Sequence, residues 1–252
     1  MFIETARLKS TLLSRKPSQA KLGATVLSIG LLCLASFLYW NLPGDSFKLF
    51  ESSYESVFKK HQWVGLFLAP LAHADLHHLG SNLIFFSIFG FLLSNYFGKL
   101  VFPILSFAMA PVIQLITLAF YHNQTTLIGI SGVVYWLTGT WIALFIGTER
   151  RLSVGRRLIA SLGFFLAMMI PTHFEPNVSY LAHAVGFVLG LVSGGLIFTS
   201  KYKSIRQADR YETKVEWIED ELSVSSSGDD FDDTELADAV INDDTRQRRS
   251  LP

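Results

Sequence analysis

The longest stretch of this chain without a charged side chain constrains its fold more than any other feature of the sequence. Residues 100 to 148 include no Asp, Glu, Lys or Arg, and a helix that crosses a bilayer needs about 20 apolar residues. The stretch is too long for one such helix and long enough for two, with the polar sequence YHNQTTLIG at 121–129 between them. Only 17% of the chain is charged, against roughly 25% in a soluble domain. The sequence therefore predicts a polytopic membrane protein.

Further charge-free runs raise the predicted number of spans to six, in an all-α bundle. The predicted spans cover residues 23–41, 77–97, 100–120, 131–147, 157–173 and 178–199. The fifth is the weakest, because it is short and Pro171 lies near its end. With the N-terminus inside, the inner segments have 13 Lys and Arg residues and the outer segments have 3. The positive-inside rule then predicts a multi-pass protein with both termini in the cytoplasm. The expected location is a bacterial inner membrane.

The charge pattern divides the chain into three predicted regions. These are a cytoplasmic N-terminal segment at 1–22, a membrane domain at 23–200 and an acidic cytoplasmic tail at 201–252. Of the 21 acidic residues, 14 lie between Asp209 and Asp244. High charge with few aromatic residues favours disorder, so we expect the tail to be largely disordered and solvated. A short polar helix is predicted at its start, over 204–222.

The few polar side chains within the predicted spans lie at one depth. With the topology above, spans two, four and six all begin at the outer face. His78 and Asn82 lie in the first turns of span two and share a helix face because they are four residues apart. Ser131 begins span four, and His183 lies about five residues into span six. Since polar groups inside a membrane are costly, they are functional candidates.

Span six also has a stripe of small residues. His183 shares one helix face with Gly186, Gly190 and Gly194. Glycines at four-residue spacing allow two helix backbones to approach closely. We therefore expect this stripe to seat span six against a neighbouring helix and to bring His183 in with it.

These residue types are suited to acyl transfer. A serine hydroxyl such as that of Ser131 is a weak nucleophile until a base takes its proton, and His183 has a pKa suited to that role. An oxyanion needs donors, for which the His78 ring, the Asn82 amide and the Ser131 backbone N–H are candidates. Gly129 leaves room for a turn into the helix. The pattern predicts a Ser–His dyad without a carboxylate.

Three motifs resemble those of rhomboid intramembrane serine proteases. HADLHHLGSN at 73–82 is similar to their H-x4-H-x3-N segment, GISG at 129–132 to G-x-S-G, and AHAVGFVLG at 182–190 to A-H-x-x-G-x-x-x-G. Their order and spacing match over about residues 24 to 200. The resemblance implies a six-helix rhomboid-like fold and an endopeptidase that cleaves single-pass membrane proteins within or near their spans.

The resemblance also implies a role for each candidate residue. The implied roles are nucleophile for Ser131, general base for His183, oxyanion donors for His78 and Asn82, lining of the site for Gly129, and packing on the His183 ring for Tyr135. The implied partners are single-pass transmembrane substrates and the lipid bilayer, without a cofactor, a metal or a nucleic acid. His73 is similar to a loop histidine of the family that is structural.

Three alternatives remain open at this point. A catalytically silent rhomboid-like protein would bind membrane clients, although the presence of both Ser131 and His183 counts against it. A rhombosortase-like enzyme would process C-terminal sorting anchors with the same dyad. A transporter would bind a metal through His73, His77, His78 and His183, but it would lack the carboxylates or thiolates usual at such sites.

Overall fold

The chain is mostly helical in the computed structural model, which describes residues 2–121, 125–169 and 178–217. The helices are α1 (Leu22–Asn41), α2 (Val64–Leu68), α3 (Leu76–Phe97), α4 (Ser106–Phe120), α5 (Ser131–Thr148), α6 (Val154–Met169), α7 (Tyr180–Ser200) and α8 (Tyr202–Gln207). The strands are β1 (Phe2–Ser10), β2 (Ser52–Ser53), β3 (Thr126–Leu127) and β4 (Arg210–Trp217). β1 pairs with β4, and β2 pairs antiparallel with β3. Over these residues the fold is therefore a helical bundle with two small sheets rather than purely α.

Among the residues that the structure describes, five helices are long and apolar enough to cross a membrane. They cover Gln19–Asn41, Leu76–Phe97, Leu100–Phe120, Ser131–Thr148 and Tyr180–Ser200. These five confirm the first, second, third, fourth and sixth predicted spans. At the fifth predicted span, the structure describes α6, which has 16 residues. The last predicted residues of that span, 170–173, lie outside the described residues.

α5 is the central helix of the bundle. Its most apolar window is 61% buried within the protein, whereas the other four candidate spans are at most 39% buried. Trp136, Leu137 and Leu144 of α5 are fully buried. Small and polar residues such as Gly139 and Thr140 are buried along the same helix. Neighbouring helices therefore surround α5, and Ser131, its first residue, lies where several of them meet.

The predicted glycine stripe is confirmed, since it seats α7 directly on α5. A Cβ added at Gly186 would overlap the carbonyl oxygen of Gly132, and one added at Gly190 would overlap that of Trp136. Gly194 approaches the backbone of α5 in the same way, one turn further along. Because only hydrogen atoms separate the two backbones, α7 has a fixed position along α5. That contact also places the histidine of the predicted dyad.

The region after the last spanning helix differs from its prediction. The sequence predicts a polar helix over 204–222, whereas α8 ends at Gln207 and β4 follows. In RYETKVEW, large or β-branched residues alternate with charged ones, which is the period-two pattern of a strand. The helix prediction is therefore wrong over β4. The acidic stretch from 218 onward, predicted to be disordered, lies outside the described residues. The chain divides into two compact units, and the whole bundle belongs to the unit Ala6–Glu212.

Candidate active site

A cavity of about 970 Å³ lies at the N-terminal ends of α3, α5 and α7. Every residue that the sequence predicts for the site lines this cavity: His78, Asn82, Gly129, Ser131, Tyr135 and His183. The three helices are far apart in the sequence, and the bundle brings their first turns together. The structure thus places a hydroxyl, two imidazoles and an amide around one space.

Ser131 is the first residue of α5, so its backbone belongs to a helix N-terminus. Ile130 is the N-cap residue, and its carbonyl accepts hydrogen bonds from Val133 N at 2.8 Å and from Val134 N at 3.1 Å. The first N–H groups of a helix have no partner within the helix. The helix dipole adds positive potential at the same place. This end of α5 is therefore suited to stabilise negative charge that develops next to Ser131.

Gly129 shapes the turn that leads into α5. Its φ is +108°, in the left-handed region that favours glycine. A Cβ at this position would lie 2.8 Å from Cε1 of His78, which is closer than van der Waals contact. The backbone N–H of Gly129 donates to Ala69 O at 2.9 Å. The glycine thus allows the His78 ring to lie against the backbone just before Ser131.

The His183 ring is buried and held by an aromatic neighbour. The Tyr135 ring stacks on it with the ring centroids 4.2 Å apart and the planes inclined by 23°. Tyr135 lies one turn after Ser131, so α5 provides both the hydroxyl and the stacking ring. A Cβ at Gly132 would lie 3.4 Å from Ala182 O, which shows how closely the backbones approach beside Ser131 and His183.

No hydrogen bond joins the Ser131 hydroxyl to the His183 ring among the residues that the structure describes. Catalytic hydrogen bonds are often long in the free enzyme and shorten when substrate binds. Both residues line the same cavity, and the His183 ring is stacked on Tyr135 of the helix that begins with Ser131.

The first turns of α3 hold His78 and Asn82. Asp75 caps this helix, because its Oδ1 accepts from His78 N at 2.8 Å. The Asn82 Nδ2 donates to His78 O at 2.9 Å. An asparagine amide has two N–H donors, so one remains for a group in the cavity. The cap of α3 therefore fixes the position along the helix axis at which His78 and Asn82 reach the cavity.

Buried His73 connects three parts of the fold. Its Nδ1 lies 3.0 Å from Ser36 Oγ on α1, its carbonyl oxygen accepts from Trp40 Nε1 at 2.8 Å, and its Nε2 accepts from Ile130 N at 3.4 Å. The ring centroid is 5.2 Å from that of His78. Burial, and then the charge of a protonated His78, lower the pKa of the His73 imidazole to about 3. His73 is therefore neutral at neutral pH.

Two polar contacts of the cavity wall are missing from the sequence prediction. Gln114 of α4 is buried, lines the cavity and accepts a hydrogen bond from Ser52 Oγ through its Oε1. The Ser179 hydroxyl caps α7 by accepting a hydrogen bond from Ala182 N at 3.2 Å. The same hydroxyl lies 3.1 Å from the Tyr121 hydroxyl. The only signal that points to Gln114 is that it is the one amide side chain within the predicted span 100–120. The partners come from distant segments, so no local pattern connects them.

Within the described ranges, no group of three or more His, Cys, Asp or Glu side chains is arranged to hold a metal ion. The four histidines of the transporter alternative therefore do not form such a group there. His73 in particular has both ring nitrogens engaged by protein atoms.

A scan against protein-family models matches residues 60–200 to the model described as the Rhomboid domain. The match covers more than half of the chain and includes every residue of the candidate site. A search of curated proteins found no match.

Proposed function

The chain belongs to the rhomboid family, and from that premise we propose that it is an intramembrane serine endopeptidase. Its substrates are single-pass membrane proteins, cut within or near their transmembrane segments. One observation carries the proposal: Ser131, at the positive end of the central helix, shares a cavity with a histidine whose ring is fixed by stacking. This combination supplies a nucleophile, a base and a site for negative charge.

The first chemical step is the attack of Ser131 on a peptide carbonyl. His183 takes the hydroxyl proton as Oγ forms a bond to the carbonyl carbon. The carbonyl oxygen becomes an oxyanion, which accepts hydrogen bonds from the Ser131 N–H, the His78 ring and the Asn82 amide. Tyr135 holds the base in place by stacking, which replaces the orienting carboxylate of a triad.

The second step releases the first product and regenerates the enzyme. The tetrahedral intermediate collapses, the peptide C–N bond breaks, and the His183 imidazolium gives its proton to the leaving amine. Water then attacks the acyl carbon with His183 again as base. The ester bond to Oγ breaks, the carboxylic acid product leaves, and His183 returns its proton to Ser131. The polar groups of the cavity wall admit the water that this step requires.

The substrate must expose its peptide bond to the cavity. A helical carbonyl is engaged in its own hydrogen bond and is shielded by side chains. We therefore expect cleavage at segments with glycine or other weak helix formers near the cut, since these unwind at the lowest cost.

The decisive experiment uses the full chain purified in detergent with a single-span model substrate and a serine-reactive fluorophosphonate. Wild-type protein should cleave the substrate and bind the probe. Ser131→Ala and His183→Ala should each lower cleavage by roughly a thousandfold or more and abolish labelling. Unchanged cleavage in either variant removes the dyad.

Matched controls separate the chemistry from general damage. Ser87→Ala removes a hydroxyl that donates to Ile84 O of its own helix, α3. His61→Asn replaces an exposed histidine with φ +53°, a conformation that asparagine tolerates. Both controls should retain wild-type cleavage.

The other outcomes of the same assay identify the alternatives. Client binding without cleavage or labelling favours a silent rhomboid-like protein. Selective processing of C-terminal anchors favours a rhombosortase-like enzyme, and chelator-sensitive metal uptake favours a transporter.

A further inference from the structure

We propose that Ser36, on the first membrane helix, is a positioning residue for the active site and acts by selecting the tautomer of His73. The inference rests on the proposed protease function. Ser36 lies outside the family match, which begins at residue 60, and its side chain does not line the cavity. Its effect must therefore pass through another residue.

The contact between Ser36 and His73 is closed off from solvent. Both side chains are 0% exposed. Ser36 Oγ lies 3.0 Å from Nδ1 of the ring, and on the opposite side of the ring the Ile130 N–H donates to Nε2 at 3.4 Å. No water can replace a lost partner easily at a site so fully enclosed, so each nitrogen depends on its protein neighbour.

The two neighbours determine where the ring proton lies. A backbone N–H can only donate, so Nε2 must present its lone pair to Ile130. Since the ring is neutral, its single proton is then on Nδ1, and the Ser36 hydroxyl accepts it. A serine hydroxyl both donates and accepts, and here the backbone amide decides which it does. The structure thus assigns His73 the Nδ1–H tautomer, with Ser36 as its acceptor.

This tautomer matters because Ile130 directly precedes Ser131. The turn before α5 has two backbone anchors: Gly129 N donates to Ala69 O at 2.9 Å, and Ile130 N donates to His73. Without the Ser36 hydroxyl, Nδ1–H would be buried without an acceptor. The ring would relieve this by moving the proton to Nε2, which would then oppose the Ile130 N–H. The second anchor would be lost, and the oxyanion-binding amide of Ser131 would shift.

Other contacts around His73 allow the Ser36 hydroxyl to be removed without disturbing the fold. Trp40, one turn later on α1, donates from Nε1 to His73 O at 2.8 Å and to Ala74 O at 3.1 Å. These bonds hold the backbone at His73 whether or not the serine hydroxyl is present. Ser36→Ala should therefore change which nitrogen of the His73 ring is protonated and leave the loop backbone in place.

The kinetic test compares Ser36→Ala with Ser36→Thr and with Ser28→Ala. Ser28 is buried on the same helix, but its hydroxyl donates to Ala24 O of that helix. We expect Ser36→Ala to lower kcat roughly tenfold with KM unchanged, as the loss of one buried hydrogen bond would produce. Ser36→Thr should restore most of the rate, and Ser28→Ala should match the wild type. Wild-type kcat in Ser36→Ala overturns the proposal.

A double-mutant cycle tests whether the serine acts through the ring. His73→Gln offers an amide oxygen to Ile130 but cannot transmit a change at Ser36. In that background, Ser36→Ala should change kcat by less than about twofold, because the two residues are coupled. Additive effects of the two substitutions contradict the proposed route.

A spectroscopic measurement decides the inference without any substrate. The ¹⁵N chemical shifts of the seven histidines, with His73 assigned by the His73→Gln variant, report which ring nitrogen is protonated. Wild type should show His73 protonated at Nδ1, and Ser36→Ala should move the proton to Nε2. If wild-type protein cleaves nothing, the proposed function fails while these spectra still decide the positioning contact. An Nε2–H tautomer in the wild type, or no change in the variant, refutes it.

Discussion

Replacing Gly190 with alanine should force α7 away from α5, because the structure leaves no space for a methyl group there. The new Cβ would overlap the Trp136 carbonyl oxygen and lie 2.9 Å from the carbonyl carbon and 3.0 Å from Thr140 N. Ordinary van der Waals contact begins at 3.4 Å, and the overlap with the carbonyl oxygen means that the helices must separate by about 1 Å. Backbone atoms of a central helix cannot move aside as a flexible side chain can.

The expected cost follows from three contributions. Overpacking costs about 1–3 kcal/mol. The hydrogen bond from Thr140 Oγ1 to Gly190 O, 3.1 Å long, contributes about 1 kcal/mol that the separation would remove. Alanine returns up to about 1 kcal/mol through its higher helix propensity. The net prediction is a loss of about 1–4 kcal/mol in the free energy of unfolding, with reduced cleavage because His183 moves with α7.

The assay is denaturant unfolding of the purified protein in detergent, with Gly195→Ala as the matched control. Gly195 lies on the same helix, and no described neighbouring atom lies within 4 Å of a Cβ added there. That variant should be as stable as the wild type or up to about 1 kcal/mol more stable. Equal free energies of unfolding for the two variants would refute the close backbone contact between α5 and α7.

Two further predictions concern the turn before Ser131 and the turn after α5. Gly129→Ala and Gly98→Ala both place alanine at positive φ, at an expected cost of about 1–3 kcal/mol each. Only Gly129→Ala should lower cleavage tenfold or more, since its Cβ would push on His78, and equal cleavage by both would contradict this. The hydrogen bonds from Arg151 lower the pKa of the buried Glu149 carboxyl from 4.5. Stability should therefore hold above about pH 4.5 and fall as the pH drops toward that lowered pKa. When the free energy of unfolding is measured from about pH 6 to about pH 3, its decrease should be smaller in Arg151→Gln than in the wild type. An identical decrease in both proteins would rule out a stabilising Glu149–Arg151 pair.

Local features of the sequence were sufficient to predict five candidate spans and six of the residues that line the cavity. Charged groups are so costly in lipid that charge-free runs mark spanning helices directly, and the five candidate spans follow those runs. The stripe of Gly186, Gly190 and Gly194 was equally readable, because a period of four residues corresponds to one helix face. These signals are local and depend on the membrane as solvent, so a single sequence is enough.

Only the tertiary structure shows how the cavity is held in place. Ser36 contacts His73, and Ser52 contacts Gln114, through single hydrogen bonds between segments that no periodicity connects. β4 was missed for a related reason, since a strand of charged and apolar residues is stable only because β1 pairs with it. Composition along the chain determines which segments leave water, because the free energy of transfer from water into the membrane is a sum over the residues of each segment. Which nitrogen of a buried ring is protonated depends on two atoms from distant segments, and their meeting is decided by packing alone.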